Sequence, residues 1–398
     1  MSNVKNKTYY FATKLAELRE REAAGQQIIN LGIGSPDLAP PESAVKALVQ
    51  SALEADSHRY QPYRGQPALR EAFADWYFRT YGISLDPTGE VLPLLGSKAG
   101  VIHCSSAFLH PGDAVLVPNP GYPAYAAAAR MFSAKPITYD LLPEHNWFPD
   151  IELLEQLDLS KVKMMWISYP HMPTGAIASK DDLARLVNFA NRNDIILIND
   201  NPYSLILNSL PTSLLQIEHA KDHCLELNSL SESHNLAGMR VGVCVGKKAL
   251  VEQVLTAMSN VDSGMYKGIQ AAAIAALNEP SDWLISLNEI YAKRRLIADQ
   301  IMEALDCSIE EPQAGLFRWA RIPDSVESAE VLSELVLDKT GVFITPGFVF
   351  GTNGQRYLRI SLCNPVEVLE EALAKISSLK NTLAHHTSDI RPLTSYIP

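Results

Sequence analysis

The chain lacks the marks of several protein classes. It has no excess of positive charge: 34 lysines and arginines stand against 45 acidic residues, a net charge of −11. No basic stretch offsets this, which argues against a nucleic-acid binder. Its five cysteines, Cys104, Cys224, Cys244, Cys307 and Cys363, are scattered and never spaced as CxxC, so neither a zinc site nor a redox pair is expected. The histidine pair near the C-terminus is too sparse to suggest a metal site. No uninterrupted apolar stretch is long enough to span a bilayer. The opening residues, MSNVKNKTYYFATKL, contain no apolar core of signal-peptide length. The expectation is an acidic cytoplasmic protein with no nucleic-acid or membrane partner and no metal.

With 398 residues, 47% of them hydrophobic, the chain can build one large domain and a smaller one. Its middle alternates short β-rich runs with longer helical patterns. The strand candidates are AVLVP (114–118), MMWIS (164–168), IILIN (195–199), CLELN (224–228) and VGVCVG (241–246). They are apolar nearly throughout, as strands covered on both faces are. SKAGVIHCSSAFLH, PAYAAAARMFSA and SKDDLARLVNFANRN supply helices, the last opening on a capping-box-like Ser179 and Asp182. This alternation predicts an α/β domain on a mostly parallel sheet. A long amphipathic helix is expected over 283–305. GLFRWARIP, GVFITPG and RYLRISL follow, with a last helix near 366–382, which together read as a smaller α+β domain. HHTSDIRPLTSYIP reads as a surface tail.

Six stretches carry side chains suited to chemistry. LLGSKAG (94–100) puts Gly96, Ser97 and Lys98 at a helix start, where free N–H groups and the dipole suit an anion. NPGYPAY (119–125) could hold Tyr122 against a planar ligand. YPHMPTGAIAS (169–179) places a Pro-Thr-Gly turn at the carboxyl end of a strand, where open α/β sheets bind ligands. IILINDNPYSLI (195–206) ends a strand in Asp200, followed by Tyr203; a buried acid there needs a cation or hydrogen bonds. NSLSESHNLAGMRVG (228–242) sets Arg240 eight residues after Glu232. YLRISL (357–362) carries Arg359 in mid-strand, where it needs a carboxylate or solvent. Singly, each has an ordinary alternative, such as a cap for Ser97 or Asp200 and loop packing for Tyr122.

In this order and spacing the stretches resemble the class I/II aminotransferases, fold-type I enzymes that use pyridoxal 5′-phosphate (PLP). The resemblance runs from NLGIGSPDLAPP (30–41) to YLRISLCNP (357–365). It includes HRYQPYRGQPALREA (58–72), similar to the segment that enters the neighbouring subunit's site. It implies a large PLP-binding α/β domain over 46–285 and a small domain from 1–45 and 286–398. It also implies a homodimer and amino-group transfer between an α-amino acid and a 2-oxo acid. Carried over, Ser97, Lys98, Ser229 and Arg240 would hold the cofactor phosphate, with Tyr60 reaching it from the partner subunit. Tyr122 would stack on the ring, Asp200 would pair with the ring nitrogen, and Tyr203 would sit beside the phenolic oxygen. Arg359 would clamp the substrate α-carboxylate, backed by Gly34.

Two positions depart from the resemblance. Met172 stands where an asparagine precedes Pro-Thr-Gly, and Glu232 stands where the family has the lysine that binds PLP covalently. A carboxylate has no nitrogen to condense with an aldehyde. With a reference pKa of ~4.3 it is a weak base unless burial raises it, and Arg240 nearby is expected to push the pKa the other way, so proton transfer should be slow. A carboxylate suits the ammonium of pyridoxamine 5′-phosphate (PMP), held non-covalently. The alternatives are a non-catalytic protein that binds PMP or a PLP adduct, a PMP-dependent sugar dehydratase, and a Glu232 that pairs with Lys98 or Arg240 with no cofactor bound. A lysine and a glutamate codon can differ by one base, so an altered form of an active enzyme is a further reading. His171 and His234 flank the departures and read as hydrogen-bonded loop histidines, with replacement of the lost base as the alternative. Lys267 is the one stand-in amine nominated.

Overall fold

The computed structural model describes residues 10–385; the stretch read as a surface tail lies outside them from residue 386 on. The chain forms two compact units, the larger made of Ser35–Lys293 and Glu310–Phe317. At its centre is a seven-stranded sheet. In spatial order the strands are Val91–Leu94, Gly242–Gly246, Cys224–Ser229, Ile196–Asp200, Val162–Ile167, Ala114–Asn119 and Lys135–Asp140. Gly242–Gly246 runs antiparallel to both of its neighbours. The other six therefore point one way, and the sheet is mostly parallel as the alternating pattern predicts.

All five sequence-predicted strands are present, together with two that were not predicted. Both missed strands form the sheet's edges. Val91–Leu94 includes Pro93, which lacks an N–H and suits an edge position. Lys135–Asp140 is mostly exposed or half-buried, with Tyr139 alone buried. The inner strands bury Leu116, Met164, Trp166, Ile198, Leu225 and Leu227 completely or nearly so, against helices such as Ser97–Phe108 and Lys248–Ser259. Helix Lys180–Arg192 begins with a true capping box. Asp182 N donates to Ser179 Oγ (3.1 Å), and Ser179 N to Asp182 Oδ2 (3.2 Å). Because six strands share a direction, the chain ends of Leu94, Asn119, Ile167, Asp200 and Ser229 lie along one edge. Gly242 starts its antiparallel strand at that same edge.

The smaller unit comprises the residues through Gly34, Arg294–Ile309 and the chain from Arg318 onward. Its four-stranded sheet has the order Thr345–Pro346, Tyr357–Ser361, Phe317–Arg321, Ser308–Ile309, and Ile29–Asn30 pairs in parallel with Val342–Phe343. Helices Ala329–Thr340 and Val366–His385 complete an α+β unit. An unforeseen helix, Tyr10–Ala23, belongs here as well. Its Leu18 packs on Leu337 and Phe343, and its Lys14 binds Glu17 and Glu334, each at 2.6 Å. The long predicted helix spans Ser281–Ala304. No helix among the described residues is long and apolar enough to cross a membrane.

Candidate functional site

The carboxyl edge of the large sheet gathers the first group of residues. Ser97 opens helix Ser97–Phe108 directly after Gly96, whose φ of 87° lies in the left-handed region. Gly96 is required for a second reason: a Cβ there would collide with the Arg240 guanidinium. Gly242 is tied down in the same way, since its Cβ would lie 2.7 Å from Ser97 N. Gly242 also stands opposite Ser229 in the sheet register. Arg240, itself at φ 55°, donates to Ala237 O (3.0 Å) and Ser231 Oγ (3.3 Å). Ser229 Oγ in turn accepts from Ser231 N at 3.1 Å. The fold thus brings together Ser97, Ser229 and Arg240, with Lys98 exposed on the same first helical turn. Backbone N–H groups at a helix start beside a guanidinium form an anion-binding arrangement.

Two strands along, Asp200 closes Ile196–Asp200 and is only 6% exposed. Its Oδ2 accepts a hydrogen bond from Tyr125 Oη at 2.9 Å, while its Oδ1 is buried without a partner. Burial raises its pKa to about 6, against the pull of the Tyr125 hydrogen bond. Tyr125 is stacked on Trp166 (4.9 Å, 2°) and meets Tyr122 edge-on at 5.6 Å. Tyr125 is a residue the sequence reading passed over. Its signal was its place one helical turn beyond Tyr122, in a stretch already singled out. Tyr203 lies half-buried just past Asp200, its ring edge-on to Phe317 at 5.7 Å.

Glu232 sits in the short turn of helix Leu230–Ser233 that follows Cys224–Ser229. The net lowering of its pKa expected from Arg240 does not occur; the pKa is raised to about 7. Burial is the main cause. The Ser229 hydrogen bond and Arg240 pull down, and the Asp200 charge pushes up. Arg240 fails to dominate because its guanidinium is turned to Ser231 and Ala237. Glu232 forms no ion pair among the described residues, so the pairing with Lys98 or Arg240 is absent, and Oε2 is buried without a hydrogen bond. A carboxyl near 7 can take or give a proton at neutral pH.

The other flanking candidates are occupied elsewhere. His234 bonds Ser233 Oγ (2.8 Å) and stacks on Trp283 (5.6 Å, 5°), and burial lowers its pKa to about 4. His171 bonds Thr174 Oγ1 at 2.8 Å, and burial lowers it to about 3. Lys267 is held by Glu54 (2.7 Å) and Asp56 (2.8 Å), which leaves it poorly placed as a free amine. Met172 is buried in its turn.

In the smaller unit Arg359 is 5% exposed in strand Tyr357–Ser361. Its Nη2 donates to Gly32 O at 2.7 Å, and its guanidinium lies over the Phe350 ring at 4.5 Å. A carbonyl and an aromatic face brace it. Gly34 follows two residues after Gly32. In the larger unit Tyr60 is 92% exposed.

The model of the family described as aminotransferase class I and II matches residues 26–376. An LL-diaminopimelate aminotransferase of Dehalococcoides mccartyi is 40% identical over 379 residues, covering 94% of this chain and 97% of its own. Among solved structures, apo-BacF of Bacillus subtilis superposes with a TM-score of 0.89 at 35% identity, covering 97% of this chain and 96% of its own. A probable N-succinyldiaminopimelate aminotransferase of Thermus thermophilus reaches 0.86 at 31% identity, covering 92% and 99%.

Proposed function

Because the chain belongs to the class I and II aminotransferases, we propose that it moves an amino group between an α-amino acid and a 2-oxo acid, working as a cytoplasmic homodimer. The family's cofactor is PLP, which becomes PMP when it carries the amino group. The large unit fits it on two counts. Asp200 offers a buried acceptor with no partner, and Gly96 and Gly242, having no Cβ, let the Arg240 guanidinium and the Ser97 N–H come close together at the helix start.

Asp200 carries the reading. A buried carboxylate with one unmet oxygen is costly unless a cationic donor meets it, and a protonated ring nitrogen is such a donor. Ser97, Lys98, Ser229 and Arg240 would hold the phosphate, joined by Tyr60 of the partner subunit. Tyr122 would cover the ring face, and Tyr203 would donate to the phenolic oxygen. When bound, the cofactor supplies a ring that draws electrons and acidifies the carbon next to the amino group. Arg359, with Gly34, orients the substrate by its α-carboxylate through paired N–H groups. Glu232, at the position of the covalent lysine, holds or accepts a proton at Oε2.

Lacking a nitrogen at residue 232, the protein holds its cofactor non-covalently and turns over slowly. This is the ground for the second reading, a non-catalytic holder of PMP or of a PLP adduct. A sugar dehydratase is disfavoured by the braced Arg359, which a sugar gives nothing to bind. The names of the relatives support a diamino dicarboxylic acid as the first amino donor to try.

A single-turnover assay tests this. The protein is loaded with PMP and mixed with a panel of 2-oxo acids, and the pyridoxal chromophore is followed beside Glu232→Lys. Turnover in both forms, faster with lysine, is the expected result. Tight binding with no conversion in the wild type would establish the second reading.

A further inference from the structure

Glu226 and Glu232 lie on either side of the end of one strand and show two fates of a buried carboxylate. Glu226 is fully enclosed and fully used. It accepts from Ser213 Oγ (2.8 Å), Leu214 N (2.9 Å), Asn199 Nδ2 (3.0 Å) and Tyr77 Oη (3.1 Å). That is the pattern of a structural acid. Glu232 presents Oε2 buried with no donor, and across the next strand Asp200 presents Oδ1 in the same condition. The two acids follow the ends of paired strands Cys224–Ser229 and Ile196–Asp200. They feel each other's charge, which raises Glu232 further.

The cations considered above do not answer this demand. Arg240 is spent on Ser231 and Ala237, and Lys267 on Glu54 and Asp56. What the pair lacks is therefore a ligand with two separated cationic donors. A hydroxyl brings no charge. An aldehyde oxygen is itself an acceptor and is repelled by a carboxylate. A primary ammonium brings both a charge and three N–H donors.

We propose that Glu232 is a receptor for the protonated amine of PMP, so that the site selects the amine form of its cofactor while Asp200 takes the ring nitrogen. The proposal rests on the reading that the large unit holds a pyridoxal-type cofactor. It turns the missing lysine into a gain of selectivity: where a lysine would trap the aldehyde, a carboxylate retains the amine.

The test is calorimetric titration at pH 8 with PMP, PLP and pyridoxine 5′-phosphate, on the wild-type chain and on Glu232→Gln. Pyridoxine 5′-phosphate keeps the ring and phosphate and replaces the ammonium by a hydroxyl, so the comparison isolates one charge. In the wild type PMP should bind at least about tenfold tighter than pyridoxine 5′-phosphate. In Glu232→Gln, a near-isosteric change, the gap should shrink to less than roughly threefold, with pyridoxine 5′-phosphate affinity unaltered. Equal affinity for the two in the wild type, a comparison that needs no variant, overturns the proposal. So does a gap that survives in Glu232→Gln. If neither phosphate binds the wild type at all, the cofactor reading itself has failed, and this inference with it.

Discussion

Between Glu232 and Arg240, charge and burial oppose each other, and burial wins because the guanidinium is directed elsewhere. This has a consequence for stability. An acid whose pKa is higher in the folded protein keeps its proton where the unfolded chain has lost it. Stability then falls as pH rises through the window from the unfolded value, 4.5, to the folded value of about 7, and is level above it. Without ligand, Glu232→Gln should match the wild type near pH 4.5 and exceed it at pH 8 by on the order of 1–3 kcal/mol in urea unfolding. A wild type that is the more stable at pH 8 would show that a cation reaches Glu232 after all. Asp200, Tyr122, Ser229 and Arg240 were singled out from motif order, and the fold joins Ser229 to Arg240 through Ser231 and Asp200 to Tyr122 through Tyr125. Tyr125 was not singled out, because its hydrogen bond joins residues 75 apart in the chain, and only the folded sheet brings them together. The acidity of Glu232 was also hidden, since a neighbour in sequence says nothing of where its guanidinium points.

At the scale of elements, the sequence reading succeeded at the inner strands of the large sheet and failed at its two edges. Lys135–Asp140 is only partly buried and gives a weak pattern, whereas Val91–Leu94 is buried but only four residues long and contains Pro93, which reads against a strand. Helix Ser97–Phe108 shows how an element is aimed. Gly96 sets its start, Arg240 lies against that glycine, and farther along His103 binds Asp262 at 2.8 Å. Gly96→Ala would place a Cβ in the guanidinium and force an L side chain to φ 87°. Gly112→Ala is the matched control, for Gly112 has φ 94° and nothing within 4 Å of its would-be Cβ. The control should lose only backbone strain, about 1 kcal/mol, with PMP affinity kept. Gly96→Ala should lose about 2–3 kcal/mol and weaken PMP binding at least roughly tenfold. Equal behaviour of the two variants in urea unfolding and titration would remove Gly96 from the site.

For the whole molecule, the α/β class and the presence of a smaller α+β unit were legible from alternation and its change near residue 280. The helix Tyr10–Ala23 was not, its apolar face being narrow and its partners, Leu337 and Phe343, far along the chain. The proposed homodimer gives the 92% exposed Tyr60 a place to go. Sedimentation velocity should find a dimer, and Tyr60→Ala should weaken PMP binding several-fold without dissociating it; a monomer with full PMP affinity would leave Tyr60 without that role. The larger unit is nearly finished at Lys293, yet its last piece, Glu310–Phe317, comes after part of the smaller unit has been laid down. That late piece stitches Ala314 N to Gly175 O and Gly315 N to Ile206 O, each at 2.8 Å. On the ribosome, a sheet already assembled must therefore wait for its closing stitch, while helix Tyr10–Ala23 must wait for Leu337 and Phe343, far along the chain. Until those residues follow, that helix has to stay soluble and unclaimed, which accords with its wealth of Lys, Arg and Glu.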